Sequence, residues 1–226
     1  MRIDIWSDVV CPWCYIGKRR FEAAVATLPN PEDIKVVHRS FQLNPSAPVG
    51  ETSKRRDMLM AKYRLSSAQV EAMDAKMEQT AAVEGLEFHL TAEGLTGNTA
   101  HAHAVVHLAR EHGLQDRLIE RLFRAYFTEQ RSVFDDASLV ALAVEAGLDA
   151  DQAWGVLRDG TYADAVWADV EQARLLGANG VPFFVIDGTH GVSGAQPVAV
   201  FVEALTHARA AVLAGPFLQK GAATTE

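Results

Sequence analysis

The apolar positions change period along the chain. Arg2 to Trp6 alternates polar and apolar, as a short strand does, whereas from Tyr15 the residues Ile16, Phe21, Ala24, Val25 and Leu28 recur at helical spacing until Pro29-Asn30-Pro31. Ile34 to Phe41 reads as a second strand rich in branched residues, broken by Asn44-Pro45-Ser46-Ala47-Pro48. From there to about residue 160 the period is almost wholly helical. Ser66 and Gln69 form a capping box ahead of Val70, Met73 and Met77, and Asn98 caps a helix that stops at Gly113. Further stripes follow at Leu118, Leu122 and Tyr126, at Leu139 to Ala146, and from Asp149 to near Gly160. One more helix, Tyr162 to Leu176, precedes a buried-strand run from Val181 to Ile186. A turn at Asp187-Gly188, a return strand over Gly191 to Gly194 and a helix from Pro197 to Ala214 complete the pattern.

Removing the helical block leaves a β-α-β-α-β-β-α domain. The expected division is therefore a first half over 1–47, a helical insertion over 48–160, a second half over 161–214 and a tail over 215–226 that frays. Proline cannot donate to a strand ladder, so Pro182 opens its strand and leaves a bare backbone edge; nothing local requires its peptide bond to be cis.

Composition narrows the class. With 226 residues, 49% hydrophobic and 22% charged, the chain buries roughly 70% of its unfolded surface. The 29 acidic against 21 basic residues leave a net charge of −8, which repels a phosphate backbone and argues against nucleic acid. The longest apolar runs, Leu139 to Val144 and Val198 to Val202, fall far short of a membrane span. Acids at Asp4 and Asp8 stand where a secretory signal needs an apolar stretch, so a cytoplasmic location is expected.

The only two cysteines are spaced Cys11-Pro12-Trp13-Cys14. In a reducing cytosol such a pair reads as reactive or metal-binding, not as a structural staple. It falls at a strand-to-helix junction, and Pro12 suits the first helical position, where its missing N–H has no intrahelical partner. The free amides and the positive helix end then favour a thiolate at Cys11. Cys14, almost one turn on, is placed to attack a mixed disulfide formed on Cys11, which makes Cys11 the attacking and Cys14 the resolving thiol. Trp13 offers an apolar face beside the sulfur, as a peptide contact or a packing aromatic. Zinc is the competing use. It needs two further ligands, and His103 with His107 at helical spacing, flanked by His101 and His112, are the candidates; that helical face reads more simply as a solvated or pocket-lining surface, so no metal is expected.

Several longer stretches carry a resemblance. Ser7 to Gly17 around the cysteine pair, Phe41-Gln42-Leu43-Asn44-Pro45, Asn98-Thr99 with Ala102-His103, Gly180-Val181-Pro182-Phe183-Phe184 and Val192-Ser193-Gly194-Ala195-Gln196 together resemble the DsbA-like thiol-disulfide oxidoreductases. Within these they are most similar to the FrnE-like branch, related to kappa-class glutathione transferases and 2-hydroxychromene-2-carboxylate isomerases. The resemblance implies an α/β fold, a thioredoxin-like domain interrupted by an all-helical insertion. It implies that Pro182 is cis and faces Cys11, and that the Val181 backbone pairs with an extended substrate peptide. Pro12 and Trp13 are candidate substrate contacts; His103, which matches the resembling motif, reads either as lining the cleft or as a structural or solvated residue, and Ser193 with Gly194 read either as contacts to a thiol cosubstrate or as ordinary turn chemistry. The chain lacks the second cysteine pair that some members carry near the C-terminus, so no relay through a second disulfide is expected. The isomerase and transferase relatives have serine where this chain has Cys11, which favours thiol exchange here.

Asp8, three residues before Cys11, reads either as a group that tunes the thiolate or shuttles a proton, or as a cap or turn residue. Lys18, Arg19 and Arg20 read as a solvated helix face. The function expected is disulfide exchange with protein or small-molecule thiols and disulfides. No cofactor is expected to bind tightly, glutathione is left open as a cosubstrate, and oligomeric state is not indicated. The rivals are a glutathione-dependent isomerase or transferase that uses Cys11 as a serine substitute, and a peptide-binding chaperone that uses the helical block as an apolar cleft.

Overall fold

A computed structural model describes residues 1–214. Its elements run β1 (Arg2–Ser7), α1 (Pro12–Ala26), β2 (Lys35–Ser40), β3 (Thr52–Lys54), α2 (Arg55–Tyr63), α3 (Ser67–Val83), β4 (Leu95–Gly97), α4 (Ala100–Glu111), α5 (Gln115–Phe127), α6 (Asp136–Glu145), α7 (Ala150–Asp159), α8 (Ala163–Leu175), β5 (Phe183–Ile186), β6 (His190–Ser193) and α9 (Val198–Ala214). The expected tail over 215–226 lies outside the described residues. No helix among the described residues is long and apolar enough to cross a membrane.

The main sheet has the order β2-β1-β5-β6. β1 and β2 are parallel, with Ile3 opposite Val36, so α1 must carry the chain back between them. β5 runs antiparallel to β1 and β6 antiparallel to β5. Period-two alternation decides what covers each face. Ile3, Ile5, Phe184 and Ile186 point to one side, where Phe21 and Ala24 of α1 and Phe201, Leu205 and Ala208 of α9 close over them. Trp6, Phe183 and Val185 point to the other, against Ala173 of α8. The fold class is as the resemblance implies: a mixed α/β, DsbA-like thioredoxin fold with a large helical component.

The helices from α3 to α7 enclose a separate core, and α1 joins it. Cys14, Tyr15 and Ile16 face that core while Phe21 and Ala24 face the sheet. Tyr15 stacks on Phe123 with ring centroids 4.8 Å apart and donates its hydroxyl to Glu120 at 2.7 Å. The helix bearing both cysteines is therefore held from two sides.

Three expectations need correction. The insertion is not wholly helical, because β3 and β4 form a two-stranded antiparallel ladder. Three residues each are too few to show a period, and Gly97 matters to the pairing, since a Cβ there would lie 2.7 Å from the Glu51 carbonyl oxygen. Lys18 is not solvated. It is 5% exposed and pairs with Glu22, Asp116 and Glu120, two of which come from α5, while Arg19 joins Glu22 and Glu120 and Arg20 joins Glu84. The His103 and His107 face of α4 is likewise buried, not solvated. That helix starts at Ala100 with Thr99 as its N-cap, yet the Asn98 side chain accepts the Ala100 amide at 2.8 Å and so still satisfies one of the free donors.

Beneath the sheet, Asp169 of α8 organises a polar network. It accepts Arg39 at 2.9 Å and the Ser40 amide at 3.0 Å, and lies 3.1 Å from His107, while its backbone carbonyl accepts the Trp6 indole at 2.7 Å. Arg39 also reaches Asp4 at 2.7 Å. Burial alone would raise the Asp169 carboxyl, but His107, the Ser40 amide and Arg39 outweigh it and hold the group below the usual carboxylate range.

Candidate active site at the start of the first helix

Cys11 is the N-cap of α1, with extended backbone at φ −90° and ψ 114°, and Pro12 occupies the first helical position. The Cys11 side chain makes no capping hydrogen bond to the helix amides and the first turn holds no acidic residue, so the amides that a helix start leaves unpaired face the Cys11 position. The Cys11 amide donates to the Asp8 carbonyl at 3.0 Å, and the Cys14 amide donates to the Cys11 carbonyl at 3.0 Å. Both thiols are free and buried, at 4% and 2% exposure. Cys14 sits deeper, and burial pushes its thiol well up from the ordinary value, reinforced by its hydrogen bond to Cys11.

Opposite Cys11 runs the segment that enters β5. The Cys11 thiol donates to the Val181 carbonyl at 3.6 Å, and the Val181–Pro182 peptide is cis. β5 begins at Phe183, so Pro182 immediately precedes it, and the Pro182 carbonyl accepts the Gly194 amide at 2.8 Å. On the other side Pro182 rests on α1 at Gly17, where a Cβ would stand 2.8 Å from the proline Cγ and 3.3 Å from the Ala195 Cβ. Glycine is thus required for the proline to approach the helix this closely. Gly17 was legible only as part of a resembling motif; its steric role depends on a contact across the fold.

Cys11 opens onto a cleft of about 530 Å³. Pro12, Trp13, Gly180 and Val181 line one side with it, and Met58, Leu59, Met73 and Met77 from α2 and α3 line the other. Trp13 is 42% exposed and forms part of the rim. The paired side chains of Arg55 and Asp74 also line the cleft, as does Tyr126, whose hydroxyl donates to the Leu95 carbonyl at 2.6 Å. A volume in this range holds a small molecule or one to two side chains of a longer ligand. The methionines read from sequence only as a helix stripe; what brings them to the cysteine is tertiary packing.

Two of the expected substrate contacts are placed elsewhere. His103 is 1% exposed, approaches the Phe41 carbonyl at 2.8 Å and lies 3.5 Å from Asp8, so it is packed beneath the site and absent from the cleft lining. Ser193 is exposed at the end of β6, beside Phe183 and outside the cleft lining. Asp8 is 1% exposed and accepts the Leu43 amide at 2.7 Å, which fixes the loop after β2 against the turn before α1. Among the described residues no group of three or more His, Cys, Asp or Glu side chains is placed to hold a metal ion.

Comparison with known proteins agrees with this architecture. The profile of the DSBA-like thioredoxin domain matches residues 2–206. The crystal structure of a probable DsbA oxidoreductase from Streptomyces coelicolor is 47% identical and superimposes with a TM-score of 0.89, over 93% of this chain and 90% of that one. The uncharacterised protein YwbO of Bacillus subtilis (strain 168) is 29% identical over 215 residues, 91% of this chain and 96% of its own length. The cytosolic disulfide reductase DsbM of Pseudomonas aeruginosa shares the fold at 19% identity, with a TM-score of 0.64 over 93% of this chain and all of that one. A profile that spans nearly the whole chain, together with a cysteine pair at the start of the first helix of this fold, places the protein in the DsbA-like thioredoxin-domain family of oxidoreductases.

Proposed function

We propose that the protein exchanges disulfides with protein cysteines through Cys11 and Cys14. The observation that carries this reading is the position of Cys11, capping α1 at the mouth of an apolar cleft with Cys14 one helical turn behind it. In the reducing direction the Cys11 sulfur attacks a substrate disulfide, one substrate sulfur leaves as a thiolate, and the other remains bonded to Cys11. Cys14 then attacks the Cys11 sulfur, the second substrate thiolate leaves, and the protein holds the Cys11–Cys14 disulfide; substrate has gained two electrons and the protein has lost them. Run backwards, the same steps oxidise a substrate dithiol.

The geometry supports the order of attack. Cys11 caps the helix at the cleft, where a substrate sulfur can reach it, whereas Cys14 lies deeper and burial raises its thiol from the ordinary value, which suits it to the second step. Val181 presents a backbone carbonyl to the reacting sulfur, which suits an extended peptide docking as an added strand, and Trp13 with Pro12 supplies the apolar rim.

The test is a redox titration of the reduced protein in glutathione buffers, read by mass spectrometry and paired with an insulin-reduction assay. The reading predicts a reversible two-electron transition confined to Cys11 and Cys14 and insulin reduction that Cys11→Ser abolishes. A pair that never closes, or insulin reduction that survives Cys11→Ser, contradicts it. The cleft volume is also compatible with a glutathione-dependent isomerase or transferase acting on a small electrophile. That reading predicts full turnover in Cys14→Ser, because no resolving thiol is used.

A further inference from the structure

The wall of the cleft opposite Cys11 carries charge that the exchange steps do not use. Residues 54–64 hold five basic side chains, Lys54, Arg55, Arg56, Lys62 and Arg64, against the single acid Asp57, in a chain whose acids outnumber its bases by 29 to 21. Two of the five are neutralised: Lys54 pairs with Glu93 at 3.0 Å and Arg55 with Asp74 at 2.5 Å. Arg56, Lys62 and Arg64 have no acidic partner among the described residues. α2 buries none of its residues, so packing does not account for this density of like charge, which by itself weakens a short helix.

The helical period turns one stripe of that segment toward Cys11. Arg55, Met58, Leu59 and Lys62, spaced i, i+3, i+4 and i+7, all line the cleft, whereas Asp57 does not. The face is thus apolar in the middle and cationic at each end. Among the described residues the only acid that lines the cleft is Asp74, which is 5% exposed and taken up by Arg55. Lys62 is left as the uncompensated charge there, at an exposed position with its ammonium 5.7 Å from the Tyr63 ring centroid. From the facing wall the start of α1, with no acid in its first turn, adds potential of the same sign. A negatively charged ligand therefore meets attraction from both walls before its sulfur reaches Cys11.

We propose that the α2 stripe selects polypeptide substrates with acidic residues close to the reacting cysteine, a role that rests on the disulfide-exchange reading above. Met58 and Leu59 take up an apolar side chain of the docked segment with little regard to its shape, and Lys62 attracts a neighbouring aspartate or glutamate at the cleft edge. Exposed charges act mainly on encounter, so the selection is expressed in the rate of capture and fades with salt.

The experiment uses two synthetic peptides, each closed by one disulfide and identical except for the residues flanking the cysteines, glutamates in one and lysines in the other. Each is mixed with excess reduced full-length protein, and its reduction is followed by acid quench and mass spectrometry. Rates are divided by those with dithiothreitol, an uncharged dithiol, to remove the peptides' own reactivity. At low salt the wild type should reduce the glutamate peptide at least about fivefold faster than the lysine peptide. The ratio should fall below about twofold at about 1 M salt, where screening confines charge interactions to about 3 Å. Lys62→Glu should bring the low-salt ratio to about one or below. Lys76→Glu, the same charge change at an exposed position of α3 outside the cleft lining, should leave it within about twofold of wild type. Equal rates for the two peptides, a ratio indifferent to salt, or the same loss in both variants overturns the proposal and leaves disulfide exchange standing. Equal rates together with sedimentation on phosphatidylserine vesicles that Lys62→Glu abolishes overturn it in favour of an anionic membrane surface. Should Lys62→Glu fail to fold, the wild-type ratio and its salt dependence decide alone. If neither peptide is reduced, the exchange reading falls and this selection falls with it.

Discussion

The two walls of the cleft are built differently. On the cysteine side, α1 is pinned between the sheet and the helical core, Lys18 is enclosed by three acids, and Pro182 is seated between Gly17 and the Gly194 amide. On the methionine side, α2 has no buried residue and α3 only Val70, Asp74 and Ala81. The two sulfurs thus sit on a heavily packed frame, while the opposite wall of the cleft is rich in methionine and lightly held. The contrast suits an exchange catalyst that fixes its chemistry and accepts varied partners.

The sharpest way to break the comparison is on the rigid side. Cys11→Ser should lower disulfide exchange by at least ~1,000-fold with little change in melting temperature, since the nucleophile is lost and a small side chain replaces it. Next comes the frame. Asp169→Ala leaves Arg39 and His107 short of a buried partner and should cost about 3–5 kcal/mol in urea denaturation. The sign of its pH dependence follows: a carboxyl held below its unfolded value contributes stability above that value and loses it as pH falls, so the gap between wild type and Asp169→Ala should narrow in acid. Gly17→Ala forces Pro182 off the helix and should cost about 1–3 kcal/mol while lowering exchange further than the stability loss explains.

On the other wall, Met73→Ala with Met77→Ala should leave stability within about 1–2 kcal/mol, because both side chains are only half-buried, yet raise KM for a peptide substrate several-fold. The smallest effect is electrostatic and remote. Arg131 and Arg121 hold the Glu145 carboxyl down at about 2, but the side chain is 42% exposed, so Glu145→Gln should cost below about 1 kcal/mol. That contribution is present above the ordinary glutamate range and disappears as pH falls through about 2.

What the sequence made legible follows from how local each cause is. The β1 strand and the Cys-Pro junction at α1 depend on neighbouring residues, and both lie where the pattern puts them, although β1 is buried on both faces because α8 covers the side that carries Trp6. The long helices and their caps at Ser66 and Asp149 are equally local. Lys18 escaped because Asp116 and Glu120, which make its burial tolerable, lie on another helix about a hundred residues on. His103 stayed open between cleft lining and a structural or solvated role for the same reason: these faces share one helical period, and only the packing of α4 over the Phe41 carbonyl separates them. The β3–β4 pair was too short to carry a period, and the methionine wall required knowing which way α2 and α3 turn relative to Cys11.

The most direct measurement is disulfide trapping with Cys14→Ser. Incubated with an unfolded protein carrying a disulfide, this variant should accumulate a stable mixed disulfide whose mass and peptide map place the bond on Cys11, while the wild type resolves it and releases reduced product. An absence of any Cys11 adduct, or a variant that turns over as fast as the wild type, contradicts the division of labour between the two thiols.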